Sequence, residues 1–301
     1  LAEGSFFAVV LAAEFDEVSA LALGRARANE TQVAAMHRAG RALEYDLVRA
    51  RVQIHSLASD SIEVRNRLAM ARSEFRRLIG VEPNRELDLT GGFDRPTAIP
   101  LNDLEALVGL ALQRRPEIQQ MNELIRARRL DVDVEKAGIR PELFMVANGQ
   151  MQLQSDELDF AGEEWRKSWN TGVSLDIPVF DGMLARSKIK GARLEYRKAE
   201  LEKERVVKNI GLEVRQAWLD FRASESRRAS QVGALELAQR GLSLAQSRYV
   251  AGAGTQLEVL DAQLMLRQSE TDLATAEHDR AVALVRLEQA AGFLAAPSSK
   301  P

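Results

Sequence analysis

Apolar positions recur at steps of three and four residues over two long stretches of the chain. One such row runs from Leu47 to Leu78, and a second row with the same spacing runs from Val259 to Ala290. This spacing is typical of the seam of a left-handed coiled coil, in which helices bury a narrow apolar face against each other. The pattern therefore predicts a mostly α-helical chain built from long antiparallel helices.

The two rows belong to a predicted internal repeat. An offset of 212 residues places Gly40 on Gly252 and Gly80 on Gly292, and the flanking sequence aligns without a gap. Two coiled coils can align through their shared period alone, but glycines at matching positions argue against that alternative. Because glycine readily adopts the positive φ of a tight helix end, each copy is predicted to reverse direction at its glycine.

Helix lengths indicate an elongated architecture. Residues 183–249 lack proline, and at 1.5 Å per residue they predict a helix of roughly 100 Å. The return helix, 257–291, is about half as long, so a partner is needed for the rest. The segment 104–138 is predicted to form a helix that stacks end to end with the return helix. Prolines and paired glycines within 81–100 predict an irregular connection.

Two segments alternate apolar and polar residues and are predicted to be β-strands, the first from Pro141 and the second over 170–180. Trp165 and Trp169 lie near the start of the second. The apolar faces comprise Leu143, Met145, Ala147, Met151 and Leu153 on the first segment and Val173, Leu175, Ile177 and Val179 on the second. An ordinary half-buried hairpin and a lipid-facing hairpin of a membrane barrel both fit this pattern. Because two strands cannot close a barrel, the second alternative requires further strands, an oligomer, or both.

Composition narrows the possible functions. The chain has 41 basic and 44 acidic residues and 46% hydrophobic residues, which permits a core but provides no polybasic surface for nucleic acid. Without cysteine, neither a disulfide framework nor a thiolate metal site can form. The apolar run Phe6–Ala13 is too short to span a membrane as a helix.

Candidate catalytic chemistry is scarce in the sequence. The histidines at positions 37, 55 and 278 lack the spacing of metal ligands. Phosphate-binding glycine loops and catalytic-triad signatures are missing from the sequence as well. We therefore predict no enzymatic activity, no metal site and no cofactor.

Several motifs together resemble one family. The segments VSLDIPVFDG, EVRQAWLDF and RYVAGAGTQLEVLDAQ, with RRPEIQ at 114–119, resemble the second repeat of the outer-membrane efflux proteins, the TolC family of bacterial export ducts. The resemblance implies a homotrimer whose strands join in one outer-membrane β-barrel and whose helices form an α-barrel, a tunnel in the periplasm. The first-repeat counterpart of 141–212 would precede residue 1, so we expect mature sequence upstream. Asp181-Gly182-Met183 departs from the family, which often has a second glycine there.

The periodicity and the resemblance together divide the chain into six segments. Residues 1–80 are the latter part of the first repeat, 81–103 a connector, 104–140 a second-repeat helix, 141–182 two barrel strands with their external loop, 183–292 the long second-repeat hairpin and 293–301 a C-terminal tail.

The resemblance also implies which residues form the periplasmic aperture, where the helices reverse. Tyr249, Glu258 and Asp261 match the family's aperture positions, with the tyrosine bonding to a neighbouring helix and the acids ringing the pore. Solvated or helix-terminal acids are the alternative for the two carboxylates. In the first repeat the matching positions hold His37, Asp46 and Arg49, and Arg49 is a candidate latch for an acid across the constriction. The predicted reversals contain Gly40, Gly252 and Gly254.

The resemblance implies an outer-membrane location with helices extending into the periplasm. The expected partners are two further copies of the chain, a periplasmic adaptor, an inner-membrane pump and outer-membrane lipid. A coiled-coil scaffold or adaptor without channel activity is the alternative function. Drug, metal and protein substrates all fit the sequence.

Overall fold

The computed structural model describes residues 2–82, 89, 91–94, 97, 99–152 and 166–293. Within these ranges the chain forms six helices and two strands. They are α1 (Ala2–Arg38), α2 (Glu44–Ile79), α3 (Leu104–Arg114), α4 (Pro116–Ala137), β1 (Glu142–Gln152), β2 (Arg166–Asp176), α5 (Leu184–Val250) and α6 (Gln256–Ala290). Two compact units are present, one of Leu1–Arg114 with Ile210–Pro301 and one of Arg115–Asn209.

The first unit contains the predicted repeat. Helices α1 and α5 end at Arg38 and Val250, and α2 and α6 begin at Glu44 and Gln256, so both pairs of boundaries differ by the offset of 212 found in the sequence. We call residues 39–43 the first turn and residues 251–255 the second turn. The predicted reversals are therefore confirmed at both positions.

Both turns close with the same hydrogen bonds. The amide of Gly40 donates to the carbonyl of His37 at 2.9 Å, and that of Gly252 donates to Tyr249 at 3.0 Å. The following amides reach one residue further back, from Arg41 to Met36 and from Ala253 to Arg248. This pairing satisfies the last carbonyls of each helix and requires a left-handed residue, here Gly40 with φ 70° and Gly252 with φ 75°.

Replacing Gly252 with alanine should lower the free energy of unfolding by about 1–2 kcal/mol, because a Cβ disfavours the left-handed conformation. An added Cβ would meet no other atom within 4 Å, so the loss would come from the backbone alone. Gly241→Ala is the matched control, since Gly241 is exposed within α5 and its Cβ is equally unobstructed. That control should be neutral or stabilising by about 0.5–1 kcal/mol in denaturant unfolding. Equal effects at both sites would contradict the conformational argument.

The core of the first unit lies along the seams between helices. Helix α1 contacts both α2 and α6. Near the turns, residues of α1, α5 and α6 form one buried group, which we call the turn cluster: Val33, Leu242, Tyr249, Val259 and Leu266. Much of the predicted seam is confirmed as buried, with Ala50, Leu57, Ser61 and Leu68 on α2 and Val259, Leu266, Ala276, Ala283 and Leu287 on α6.

The second unit contains the β-hairpin. Strands β1 and β2 pair antiparallel, with Leu143 opposite Leu175 and Met145 opposite Val173. Because directly opposed residues share a face, the two apolar faces predicted from alternation coincide. These four side chains are 60–83% exposed, so the hairpin presents an apolar face that the described chain does not cover.

Two predicted boundaries in this part of the chain are wrong. Ile177 and Val179 were expected on the second strand, but β2 begins at Arg166 and ends at Asp176. Pro178 has no amide hydrogen to extend the ladder. The single helix predicted over 104–140 is divided at Arg115, because Pro116 starts a new helix at its first position. Leu153, Trp165, ten residues of the connector and the C-terminal tail beyond residue 293 lie outside the described residues.

Among the helices of the described ranges, none combines the length and the apolar composition that crossing a bilayer requires.

Candidate functional site at the helix turns

The second turn is fixed by its own side chains. Thr255 precedes α6, and its hydroxyl accepts a hydrogen bond from the amide of Glu258 at 3.3 Å. Arg248 donates to the carbonyl of Ala253 at 3.0 Å and lies 4.0 Å from the carboxylate of Glu258. Glu258 therefore occupies the first turn of α6, where a negative charge is favoured by the helix dipole.

Gly254 has a steric role in this arrangement. A Cβ at this position would lie 3.1 Å from the Cβ of Arg248, 3.1 Å from a carboxylate oxygen of Glu258 and 3.2 Å from the amide nitrogen of Tyr249. The backbone of the second turn thus passes close to the end of α5. Gly254 lies within the second turn, and close approach rather than positive φ explains the glycine.

The first turn is joined to the second by one arginine. Arg41 donates from its guanidinium to the carbonyl of Val250 at 2.9 Å, which is the last residue of α5. The offset of 212 places Ala253 at the position of Arg41, so the second turn offers no reciprocal bond. The two turns therefore differ chemically. The sequence had predicted such a difference at the aperture positions, where the two repeats hold different residues.

Tyr249 is buried inside the turn cluster, with 6% of its surface exposed. Its hydroxyl has no hydrogen-bond partner within the described residues. Burial raises the pKa of the Tyr249 hydroxyl, and the nearby carboxylate of Asp46 raises it further. The hydroxyl consequently stays protonated at neutral pH and keeps its capacity to donate a hydrogen bond.

Asp46 lies at the start of α2. One of its carboxylate oxygens accepts a hydrogen bond from the amide of Leu43 at 3.4 Å. The charge of Asp46 also acts on Tyr249. Two of the predicted aperture residues, one from each repeat, are therefore brought together within a single chain.

Asp261 and Arg49 line one groove between α2 and α6, with a volume of about 560 Å³. Asp261 is exposed. The guanidinium of Arg49 lies 5.3 Å from the ring centroid of Tyr45, a cation–π distance. Among the described residues neither Asp261 nor Arg49 forms an ion pair, so pairing of Arg49 with an acid elsewhere stays a prediction. Asp60 and Arg267 bridge the same groove at 2.9 Å.

Sequence reasoning missed four residues that shape this site: Arg41, Arg248, Thr255 and Gln256. A signal existed for Thr255, because threonine followed three residues later by glutamate is typical of a helix start. Arg41 and Arg248 donate to backbone carbonyls at the end of α5 and in the second turn, and no spacing rule identifies such bonds. Gln256 is buried, with only 1% of its surface exposed, although a glutamine at a helix start usually faces water.

Metal ligation has no support in the part of the chain that the structure describes. Histidine, aspartate and glutamate side chains there form no group of three or more suited to hold an ion. The arrangement at the turns is instead a set of carboxylates, arginines and one buried phenol near reversing helices. Such groups attract or repel ions and change partners when helices move.

The fold defines the class of protein first: a mostly helical chain with repeated long hairpins and a small two-stranded sheet. Among solved structures, the outer membrane protein VceC from Vibrio cholerae shares this fold with a TM-score of 0.72 and 18% identity, covering 97% of this chain and 69% of VceC. A family model described as outer membrane efflux protein matches residues 107–293. The chain belongs to the outer membrane efflux protein family, as its motifs predicted.

Curated relatives match at moderate identity. Protein CyaE of Bordetella pertussis is 27% identical over 263 residues, covering 86% of this chain and 55% of CyaE. Outer membrane protein OprJ of Pseudomonas aeruginosa is 28% identical over 184 residues, covering 60% of this chain and 37% of OprJ. The chain thus spans about half or less of the length of these relatives.

Proposed function

We propose that the protein is the outer-membrane exit duct of a tripartite efflux or secretion system. It conducts substrates passively from an inner-membrane pump across the periplasm and the outer membrane, and a periplasmic adaptor joins the two. The observation that carries this proposal is family membership in a chain with two long helical hairpins that reverse at matching glycine turns. The proposed activity is conduction and involves no chemical step.

The exposed hairpin supports an oligomeric duct. An apolar face with side chains 60–83% exposed and two open strand edges suits neither an isolated chain in water nor one in lipid. In the proposed homotrimer, Val173 and Leu175 of β2 face lipid, and the edges pair with further strands of a closed barrel. Ile177 and Val179 follow the strand and lie at the boundary of the lipid-facing surface.

The turns are the proposed gate. Threefold symmetry converts Glu258 and Asp261 into two rings of three carboxylates, which attract cations and repel anions. The buried Tyr249 hydroxyl, still a free donor, has Asp46 nearby as an acceptor when the helices shift. Arg49, held in the groove beside Asp261, is the proposed latch for an acid of a neighbouring protomer.

Neutralising the two acids should remove most of the cation preference of the channel. We expect the full-length protein in planar bilayers to conduct in small cation-selective steps at low ionic strength, where charges are least screened. In Glu258→Gln with Asp261→Asn, the permeability ratio of potassium to chloride should fall several-fold towards unity. The readout is the reversal potential in a salt gradient.

The matched control removes two carboxylates away from the turns, in Glu63→Gln with Glu236→Gln. Both side chains are exposed and are paired only with arginines one helical turn away, so selectivity should not change. A folded, membrane-inserted trimer without conductance would exclude the duct and leave the coiled-coil scaffold. If the acid variant conducts with unchanged selectivity, the protein is a duct, but Glu258 and Asp261 do not form its gate.

A further inference from the structure

One row along α6 is polar at four consecutive heptad positions. Gln256, Gln263, Glu270 and Glu277 follow one another at intervals of seven residues. Gln256 and Gln263 are 1% and 8% exposed, and the carboxylate side chains of Glu270 and Glu277 are 14% and 30% exposed. These positions follow directly after the seam positions Ala262, Ser269 and Ala276, where a coiled coil often holds charged residues that pair between helices. This row, which we call the polar row, therefore places amides and carboxylates inside the helix bundle.

The half of the polar row far from the turns is satisfied. Glu270 accepts two hydrogen bonds from Arg25 of α1, at 2.8 and 2.5 Å. Glu277 accepts one from Arg228 of α5 at 3.2 Å. These ion pairs connect α6 to α1 and to α5, and the pair Asp60–Arg267 connects it to α2.

The half near the turns is not satisfied. Both side-chain polar atoms of Gln256 and the Nε2 of Gln263 are buried without a hydrogen-bond partner among the described residues. The hydroxyl of Tyr249, in the adjoining turn cluster, is in the same condition. Four buried polar atoms on α5 and α6, near the second turn, thus have no hydrogen-bond partner in the part of the chain that the structure describes.

These two halves respond oppositely when the helices separate. Water that enters near Gln256 and Gln263 supplies the bonds that their amides lack, so separation recovers a desolvation cost. Separation at Glu270 and Glu277 instead breaks charged hydrogen bonds that are partly shielded from water, which is unfavourable. The apolar contacts of Val259 and Leu266 in the turn cluster stabilise the packed helices. The unsatisfied amides offset part of that stabilisation.

We propose that α6 separates from α1 and α5 locally, from its N-terminus as far as Gln263, and that the ion pairs at Glu270 and Glu277 stop the separation there. As the description of a gate this rests on the proposed function, but the separation itself is measurable without any conductance. The unsatisfied glutamines of the polar row lower the free energy needed for separation, and its paired glutamates limit how far along α6 the separation extends.

Hydrogen exchange of the full-length protein, followed by mass spectrometry, tests this proposal. Amides of 259–266 should exchange through local opening, and amides of 274–287 should be protected far longer. In Gln256→Met with Gln263→Met, whose side chains keep the unbranched shape without an amide, exchange in 259–266 should slow roughly tenfold or more. Gln268→Met, at an exposed position of α6, is the matched control. It removes only a surface hydrogen bond to Asp272 and should change the exchange of 259–266 by no more than about twofold.

A second variant tests whether the ion pairs limit the separation. Arg25→Met removes the ion pair with Glu270, and fast exchange should then extend past residue 270. Uniform protection along α6 in the unmodified protein would overturn the proposal, as would unchanged exchange in the methionine pair. If amides of 259–266 exchange faster than those of 274–287 and the protein does not conduct, the local separation is supported and the proposed duct is refuted. If the protein conducts but exchange is uniform along α6, the proposed duct is supported and its gate lies outside this part of α6.

Discussion

Shortening Leu266 to alanine should lower the free energy of unfolding by about 3 kcal/mol. Leu266 is 4% exposed and packs in the turn cluster against residues of α1 and α5. The substitution removes three buried carbon atoms and leaves a cavity that rigid helices cannot easily collapse. Denaturant unfolding followed by far-ultraviolet circular dichroism measures the loss.

Leu264→Ala provides the comparison for this prediction. Leu264 lies two residues away on the same helix and is 51% exposed, so it loses the same atoms without opening a buried cavity. Its effect should stay below about 1 kcal/mol. Similar losses for both variants would mean that the turn cluster does not hold the helices together.

The helical part of the fold could be predicted because its signals are local and repeated. Gly40 and Gly252 mark the turns in the sequence, and the observed helix ends, Arg38 and Val250, keep the offset between them. Positive φ at a helix end leaves few alternatives to glycine. Alternation likewise predicted the face of the hairpin, since a one-residue error in register would exchange the two faces.

Element boundaries were less predictable where proline competes with a pattern. The alternation through Ile177 and Val179 continues past Pro178, so periodicity alone extended the strand too far. The prediction of a single helix over 104–140 likewise passed over Pro116. In both cases the proline decides the boundary, because it lacks an amide hydrogen and restricts the residue before it, so a proline should outweigh the pattern around it.

The polar row shows why part of the site could not be predicted. Helix α6 packs on α1 as well as on α5, which buries a second face beyond the apolar seam. Gln256 and Gln263 lie beside the seam and are buried, yet an amide side chain on a helix is usually exposed. Their seven-residue spacing is visible in the sequence, but their burial follows from the tertiary arrangement and not from residue type.

Replacing Arg25 with methionine should cost about 2–3 kcal/mol of unfolding free energy, because it leaves the Glu270 carboxylate buried without its two hydrogen bonds. The side chains of Arg25 and Glu270 are 27% and 14% exposed, so water can solvate the remaining charge only in part. The exposed pair Arg67 and Glu63, with both side chains 67% exposed, is the reference. Arg67→Met should cost less than about 1 kcal/mol.

The double variant Arg25→Met with Glu270→Met separates the cost of an unpaired charge from the value of the pair. Two methionines fill the same space without a charge, so much of the lost stability should return. Such recovery identifies the pair as a specific pin between α1 and α6 rather than a large source of stability. A double variant as unstable as Arg25→Met alone would show that the pair itself holds the helices together. If Arg25→Met loses no more unfolding free energy than Arg67→Met, the ion pair does not fix α1 to α6. The proposed limit to helix separation at Glu270 would then be refuted.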